Sequence, residues 1–141
     1  RPSMSRAAVW LVDTSVAVPL VVAAHEAHAA VMRATAGHRL GLAGHAAYET
    51  YSVLTRLPSP LRRDPVTVTR LLEANFVETR FPSETVMAAL FTEMAAIPIA
   101  GGAVYDALIG RTAVQHRLPL ATRDRRAVDT YRAVGVDVVW L

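Results

Sequence analysis

Residues 7–12, AAVWLV, form an unbroken apolar run of strand length, and the next residue is Asp13. A half-exposed strand alternates apolar and polar side chains, whereas a continuous run suits a strand covered on both faces of a parallel sheet. Helical patterning begins at Thr14, so Asp13 falls where the carboxyl end of a strand meets a helix. A lone carboxylate between two apolar runs is expensive to bury unless it is paired, hydrogen-bonded or bound to a cation. Whatever fold the chain adopts must answer that charge.

The remaining sequence continues the strand–helix alternation. Pro19 marks a break or kink, a second helix runs from about His25 to Ala36, and Gly37 closes it. RLGLA (39–43) reads as a strand, 44–57 as a helix ended by Pro58, and the proline-rich PSPLRRDP as a loop. A short helix over 66–74 and a strand NFVETRF (75–81) follow, after which Ser83 caps the helix ETVMAALFTEMAAI. Gly101 and Gly102 form a turn before a helix at roughly 103–116. Strands LPLAT (118–122) and VDVVWL (136–141) then flank a short arginine-rich helix. This pattern predicts a single domain over residues 1–141, an α/β/α sandwich around a mostly parallel sheet. The leading Arg-Pro-Ser before Met4 reads as an expression remnant outside the fold.

At 141 residues and 52% hydrophobic, the chain has ample material for one core. Acids, histidines or arginines interrupt every apolar run before it reaches membrane-spanning length, and the start lacks a signal-like pattern. A cytoplasmic protein without membrane contact is expected. The absence of cysteine excludes thiolate metal sites and thiol redox chemistry. All 15 cations are arginine, which excludes a Schiff-base or Walker-A lysine. Arginine favours planar contacts to phosphate and carboxylate.

The acids sort into two kinds. Asp64, Glu73, Glu78 and Glu84 lie on polar segments and read as solvated surface charges. Asp13, Glu49 and Asp106 each interrupt an apolar stretch with no arginine at helical i±3 or i±4 spacing. Glu49 has only His45 within local reach, and Arg111 is rotated away from Asp106. Asp124, in LPLATRDRRAV, shares with Asp13 the strand-end position at which open α/β sheets bind ligands. Structural roles exist for each: Asp13 and Asp124 as helix caps, Asp106 as partner of a distant arginine, Glu49 as partner of His45 or a tyrosine. As a converging set, however, the four would repel one another, and a hard divalent cation is the economical remedy. The histidines of HEAH (25–28) lack the HExxH spacing of zinc proteases.

LVDTS near the start, AAYETYSVL, YDALIG after a glycine turn, and LATRDR before a late apolar strand, in that order, resemble the PIN-domain ribonucleases, in particular the VapC toxins of bacterial toxin–antitoxin pairs. The resemblance spans Val9 to Leu141. It implies a PIN-like fold and an endoribonuclease dependent on Mg²⁺ or Mn²⁺, often homodimeric and inhibited by a cognate VapB antitoxin. The family's acidic quartet falls on Asp13, Glu49, Asp106 and Asp124. Asp13, Asp106 and Asp124 are the expected metal ligands, and Ser15 and Thr122 match the hydroxyl positions that orient ligands or water. Asp129 has no counterpart. Arg117, Arg123, Arg125 and Arg126, with Arg132 beyond them, cluster in sequence around Asp124 and are the expected RNA-phosphate contacts.

Two other classes compete. A haloacid-dehalogenase phosphatase also starts from a strand-end Asp, but needs a second Asp where Ser15 stands and a lysine that the chain lacks. A non-catalytic PIN-like module that binds RNA or protein would need neither metal nor all four acids.

Overall fold

The computed structural model describes residues 7–141, so the leading Arg-Pro-Ser lies outside the described residues. Strands β1 (Val9–Val12), β2 (Arg39–Leu42), β3 (Leu120–Thr122) and β4 (Val138–Trp140) form one parallel sheet in the order β2-β1-β3-β4. Between them run α1 (Thr14–Val21), α2 (His28–Thr35), α3 (His45–Thr55), α4 (Pro65–Asn75), α5 (Glu84–Glu93), α6 (Ala103–His116) and α7 (Arg125–Ala133). The chain leaves β1 on one side to form β2 and returns on the other to form β3. The carboxyl ends of β1 and β3 therefore flank the topological switch point, where a crevice opens.

Successive strand residues serve opposite layers, as the period of two requires. Val12, Leu40, Leu42 and Ala121 pack with Val16, Leu20, Val31, Leu54, Val68, Leu72 and Phe76 in one core. Leu11 and Leu120 pack with Ile109, Ala113, Ala127 and Tyr131 of α6 and α7 in the other. Gly110 permits the close approach of α6 to the end of α7, since a Cβ there would lie 2.7 Å from Val134 Cγ2. Among the described residues, no helix is long and apolar enough to cross a membrane.

Asp13, Asp64, Ser83 and Asp124 cap α1, α4, α5 and α7 through side-chain oxygens. Two helices are shorter than their patterns predict. His25 lies in a turn, where its Nδ1 accepts from the Ala27 amide at 3.0 Å, so α2 starts at His28. The last predicted turn of α5 is replaced by a loop through Pro98, which cannot continue a helix.

The predicted strand 75–81 is not one. Thr79 Oγ1 accepts from the Leu42 amide at 3.0 Å, so a side chain takes a position that a ladder carbonyl would fill. The pairing with the β2 side is reduced to three main-chain bonds, from the Glu78 amide to the Leu40 carbonyl, from the Arg80 amide to the Leu42 carbonyl and from the Gly44 amide to the Arg80 carbonyl, with one isolated bridge, Ala43 to Arg80. Glu78, expected to be a solvated charge, is 8% exposed on this segment and paired with both Arg39 and Arg80. The segment crosses so near β2 that a Cβ on Gly41 would lie 2.1 Å from the Glu78 carbonyl oxygen. Main chain cannot yield as a flexible side chain does. Gly41→Ala is therefore expected to destabilise the protein by about 3 kcal/mol, the upper end of overpacking penalties. Urea unfolding measures this, and a change below about 0.5 kcal/mol would contradict the close crossing.

Candidate active site

At the end of β1, Asp13 turns into α1 and is 3% exposed. Its Oδ1 accepts from the Ser15 amide at 3.0 Å and the Ser15 hydroxyl at 2.5 Å. Its Oδ2 accepts from the Thr122 hydroxyl at 2.6 Å and the Tyr131 hydroxyl at 2.7 Å. Ser15 Oγ in turn accepts from the Arg123 amide at 2.8 Å, and Thr122 Oγ1 from the Asp124 amide at 3.1 Å. One carboxylate thus joins β1, α1, β3 and α7. Burial pushes the Asp13 carboxyl up, the Ser15, Thr122 and Tyr131 hydrogen bonds oppose that, and the Asp124 charge adds to it.

The other three acids face the same small cavity of about 40 Å³, lined by Asp13, Thr14, Ser15, Glu49, Asp106 and Asp124, with Ile109 and Tyr131 at its wall. Glu49, on α3, is held by the Thr14 hydroxyl at 3.2 Å and by His45 Nε2 at 3.2 Å. Asp124 accepts from the Arg126 amide at 3.0 Å. Asp106 stands in the first turn of α6, where the helix dipole favours an anion. It has no ion-pair partner among the described residues. Its carboxyl is pushed up to about 6, first by burial and then by the charges of Asp124, Glu49 and Asp13. Arg111 turns to Glu93 at 2.8 Å instead.

The all-oxygen donor set and the unrelieved negative charge fit a hard divalent cation. A cavity of about 40 Å³ also exceeds the ~10–15 Å³ that one water needs. Among the described residues, no three carboxylates or histidines stand close enough to hold an ion together.

The structure brings Asp13, Glu49, Asp106, Asp124, Ser15 and Thr122 together and divides the predicted arginines. Arg126 lies at the margin, its Nε 4.0 Å from Asp124 Oδ1. Arg123 is exposed beside it, held through its amide by Ser15. Arg125 turns aside to Trp140, with its guanidinium carbon 5.1 Å from the ring centroid. Arg117 caps the far end of α6, eleven residues from Asp106 and so roughly 16 Å along the helix. Asp129 lines a groove with Arg125 and Arg132 to which none of the four acids contributes. Sequence reasoning missed Tyr131 and Thr14. Tyr131 follows Asp124 by seven positions, two helical turns, and that spacing was the available signal.

The PIN domain family model matches residues 10–133. The chain belongs to the PIN-domain family. It is 52% identical over 128 residues to Ribonuclease VapC27 of Mycobacterium tuberculosis, covering 91% of this chain and 93% of that one. Ribonuclease VapC40 of the same species is 43% identical over 128 residues, covering 89% and 94%. In fold, this PIN domain resembles the crystal structure of VapBC2 from Rickettsia felis bound to a DNA fragment from their promoter. The TM-score is 0.63 at 13% identity, with 94% of this chain and 98% of that one covered.

The crowding of Asp106 has a measurable consequence. Between pH 3.8 and about 6 the folded protein binds a proton there that the unfolded chain has released. Stability from this group is therefore full at low pH and lost as pH rises through about 6. In EDTA, Asp106→Asn should flatten the fall in melting temperature across that interval relative to the native protein. Parallel native and variant curves would contradict the crowding.

Proposed function

We propose that this PIN domain is the toxin of a toxin–antitoxin pair, an endoribonuclease that hydrolyses RNA phosphodiester bonds using carboxylate-held Mg²⁺ or Mn²⁺. The observation that carries the reading is the convergence of Asp13, Glu49, Asp106 and Asp124 on one cavity at the switch point. Relatives named as ribonucleases, at 52% and 43% identity over nearly the whole chain, support RNA as the substrate.

Asp13 and Asp106 serve as the principal ligands, with Asp124 and Glu49 completing the shell directly or through water. Bound there, the cation supplies an activated water and offsets charge on the phosphoryl oxygens and leaving group. The chain's own residues set the geometry. Ser15, Thr122 and Tyr131 fix the Asp13 carboxylate by donating to both of its oxygens. Glu49 and Asp124, with side chains 36% and 38% exposed, line the cavity from its less buried side and would accept hydrogen bonds from a water held there. Arg123 and Arg126 receive the phosphates beside the scissile bond and draw the polyanion toward an otherwise repulsive centre.

The protein acts in the cytoplasm as a homodimer restrained by a VapB-type antitoxin. The VapC names of the relatives support that partner. Tyr48, Phe81, Met87 and Phe91, from 46% to 77% exposed, offer apolar surface for self-association or an antitoxin helix.

Purified native protein should cut RNA with Mg²⁺ or Mn²⁺ and stop in excess EDTA. Asp106→Asn should lose more than the ~10–100-fold typical of changes outside the ligand shell. Equal cleavage in EDTA by native protein and variant, free of contaminating nuclease, would overturn the mechanism. Binding of RNA without cleavage would return the non-catalytic module.

A further inference from the structure

Arg125, Val128, Asp129 and Arg132 recur at i, i+3, i+4 and i+7 and so share one face of α7, about 10 Å long. Ala127 and Tyr131 occupy the opposite side and are buried in the core. The outward face looks across to β4, the edge strand of the sheet, and with Val138 and Trp140 encloses a groove of about 390 Å³. Trp140 is 47% exposed there, with the Arg125 guanidinium carbon 5.1 Å from its ring centroid. Two arginines against Asp129 leave the groove positive, in contrast to the acid cavity. Trp140 pairs in register with Thr122, the neighbour of the Asp13 carboxylate, so the groove lies at the same carboxyl edge of the sheet as that cavity.

We propose that this groove is a subsite for single-stranded RNA on one side of the scissile bond. A base stacks on Trp140, and Arg125 and Arg132 take the phosphates along α7. The proposal rests on the ribonuclease reading and adds where the substrate strand is held. A cavity of four carboxylates repels a polyanion, so affinity has to come from its margins. An exposed indole beside cations is the combination that grips unpaired nucleotides whatever their sequence. In a duplex the base faces are already stacked within the helix and unavailable to Trp140, which makes the strand single. Arg125 already lies over the indole, so a base entering the groove meets a guanidinium and a ring together.

The test uses the full chain and a labelled, mixed-sequence single-stranded RNA, with a duplex of the same sequence alongside. Binding is read by fluorescence anisotropy in an Asp106→Asn background, and cleavage is read on the otherwise native protein with Mn²⁺. Trp140→Ala should raise Kd and KM for the single strand about tenfold, with a smaller change in kcat, and Trp140→Phe should restore most of the loss. Arg125→Ala and Arg132→Ala should each lower the dependence of log Kd on log salt by about one. Duplex binding should not respond to Trp140→Ala. Unchanged melting temperatures in each variant keep a folding defect from imitating the result. If the native protein cleaves RNA while Trp140→Ala and the arginine variants bind and cut as it does, the groove is overturned and the ribonuclease reading survives. If the native protein neither binds nor cuts RNA, both fall. Loss confined to binding of a protein inhibitor, with RNA binding intact, would also overturn the RNA subsite.

Discussion

The Asp13 carboxylate is the interaction on which the rest of the structure depends. It sits almost fully buried at the end of the central strand pair, and its two oxygens receive four donors from α1, β3 and α7. Without them, burial of that charge would be prohibitive. With them, the carboxylate becomes a tie that fixes the ends of β1 and β3 and the pitch of α7 over the sheet. The same tie aims Asp124 at the cavity, because the Thr122 hydroxyl that donates to Asp13 accepts from the Asp124 amide. Fold and site share one set of hydrogen bonds.

The closest arginine–carboxylate pairs form away from the crowded acids. Arg39 and Arg80 neutralise Glu78, Arg111 neutralises Glu93, and Arg125 lies over Trp140. Among the described residues, Arg126 is the one arginine in ion-pair range of the quartet, from a side chain 97% exposed and 4.0 Å from Asp124. A fold governed only by stability would turn an arginine inward. Leaving Asp106 half-buried and unpaired sustains a negative field that suits a divalent cation, in keeping with the clustering of perturbed acids at functional sites.

Much of this was legible in the sequence, for local reasons. The AAVWLV run followed by Asp13 and the acids lacking helical neighbours are signals that periodicity exposes, and they led to Asp13, Glu49, Asp106 and Asp124. Contacts set by tertiary packing were not legible. Tyr131 meets Asp13 across 118 positions, and Thr79 interrupts the edge pairing through a side chain that no strand propensity describes. Glu78 resembled a surface charge because its partner Arg39 lies on β2, far away in the chain. Arg117 was grouped with Asp124 by nearness in the chain, although the whole length of β3 separates the two ends of the sheet. Arg125 and Arg126 are adjacent in sequence, yet the helical turn between them sends one to Trp140 and the other toward the acids.

The central claim is that the four acids gather to hold a cation, Asp13 tying the fold as well while Asp106 serves the cation alone. Thermal unfolding of native, Asp13→Asn and Asp106→Asn proteins, each in EDTA and in Mn²⁺, tests it most directly. Native protein should gain about 2.7 kcal/mol at a metal concentration 100 times its dissociation constant. Asp106→Asn should melt no earlier than native in EDTA, and both variants should lose most of the Mn²⁺ gain. An Asp106→Asn protein that melts much earlier in EDTA, or variants that retain the full Mn²⁺ shift, would contradict the claim, because Asp106 would then be supporting the fold or the metal would be bound elsewhere.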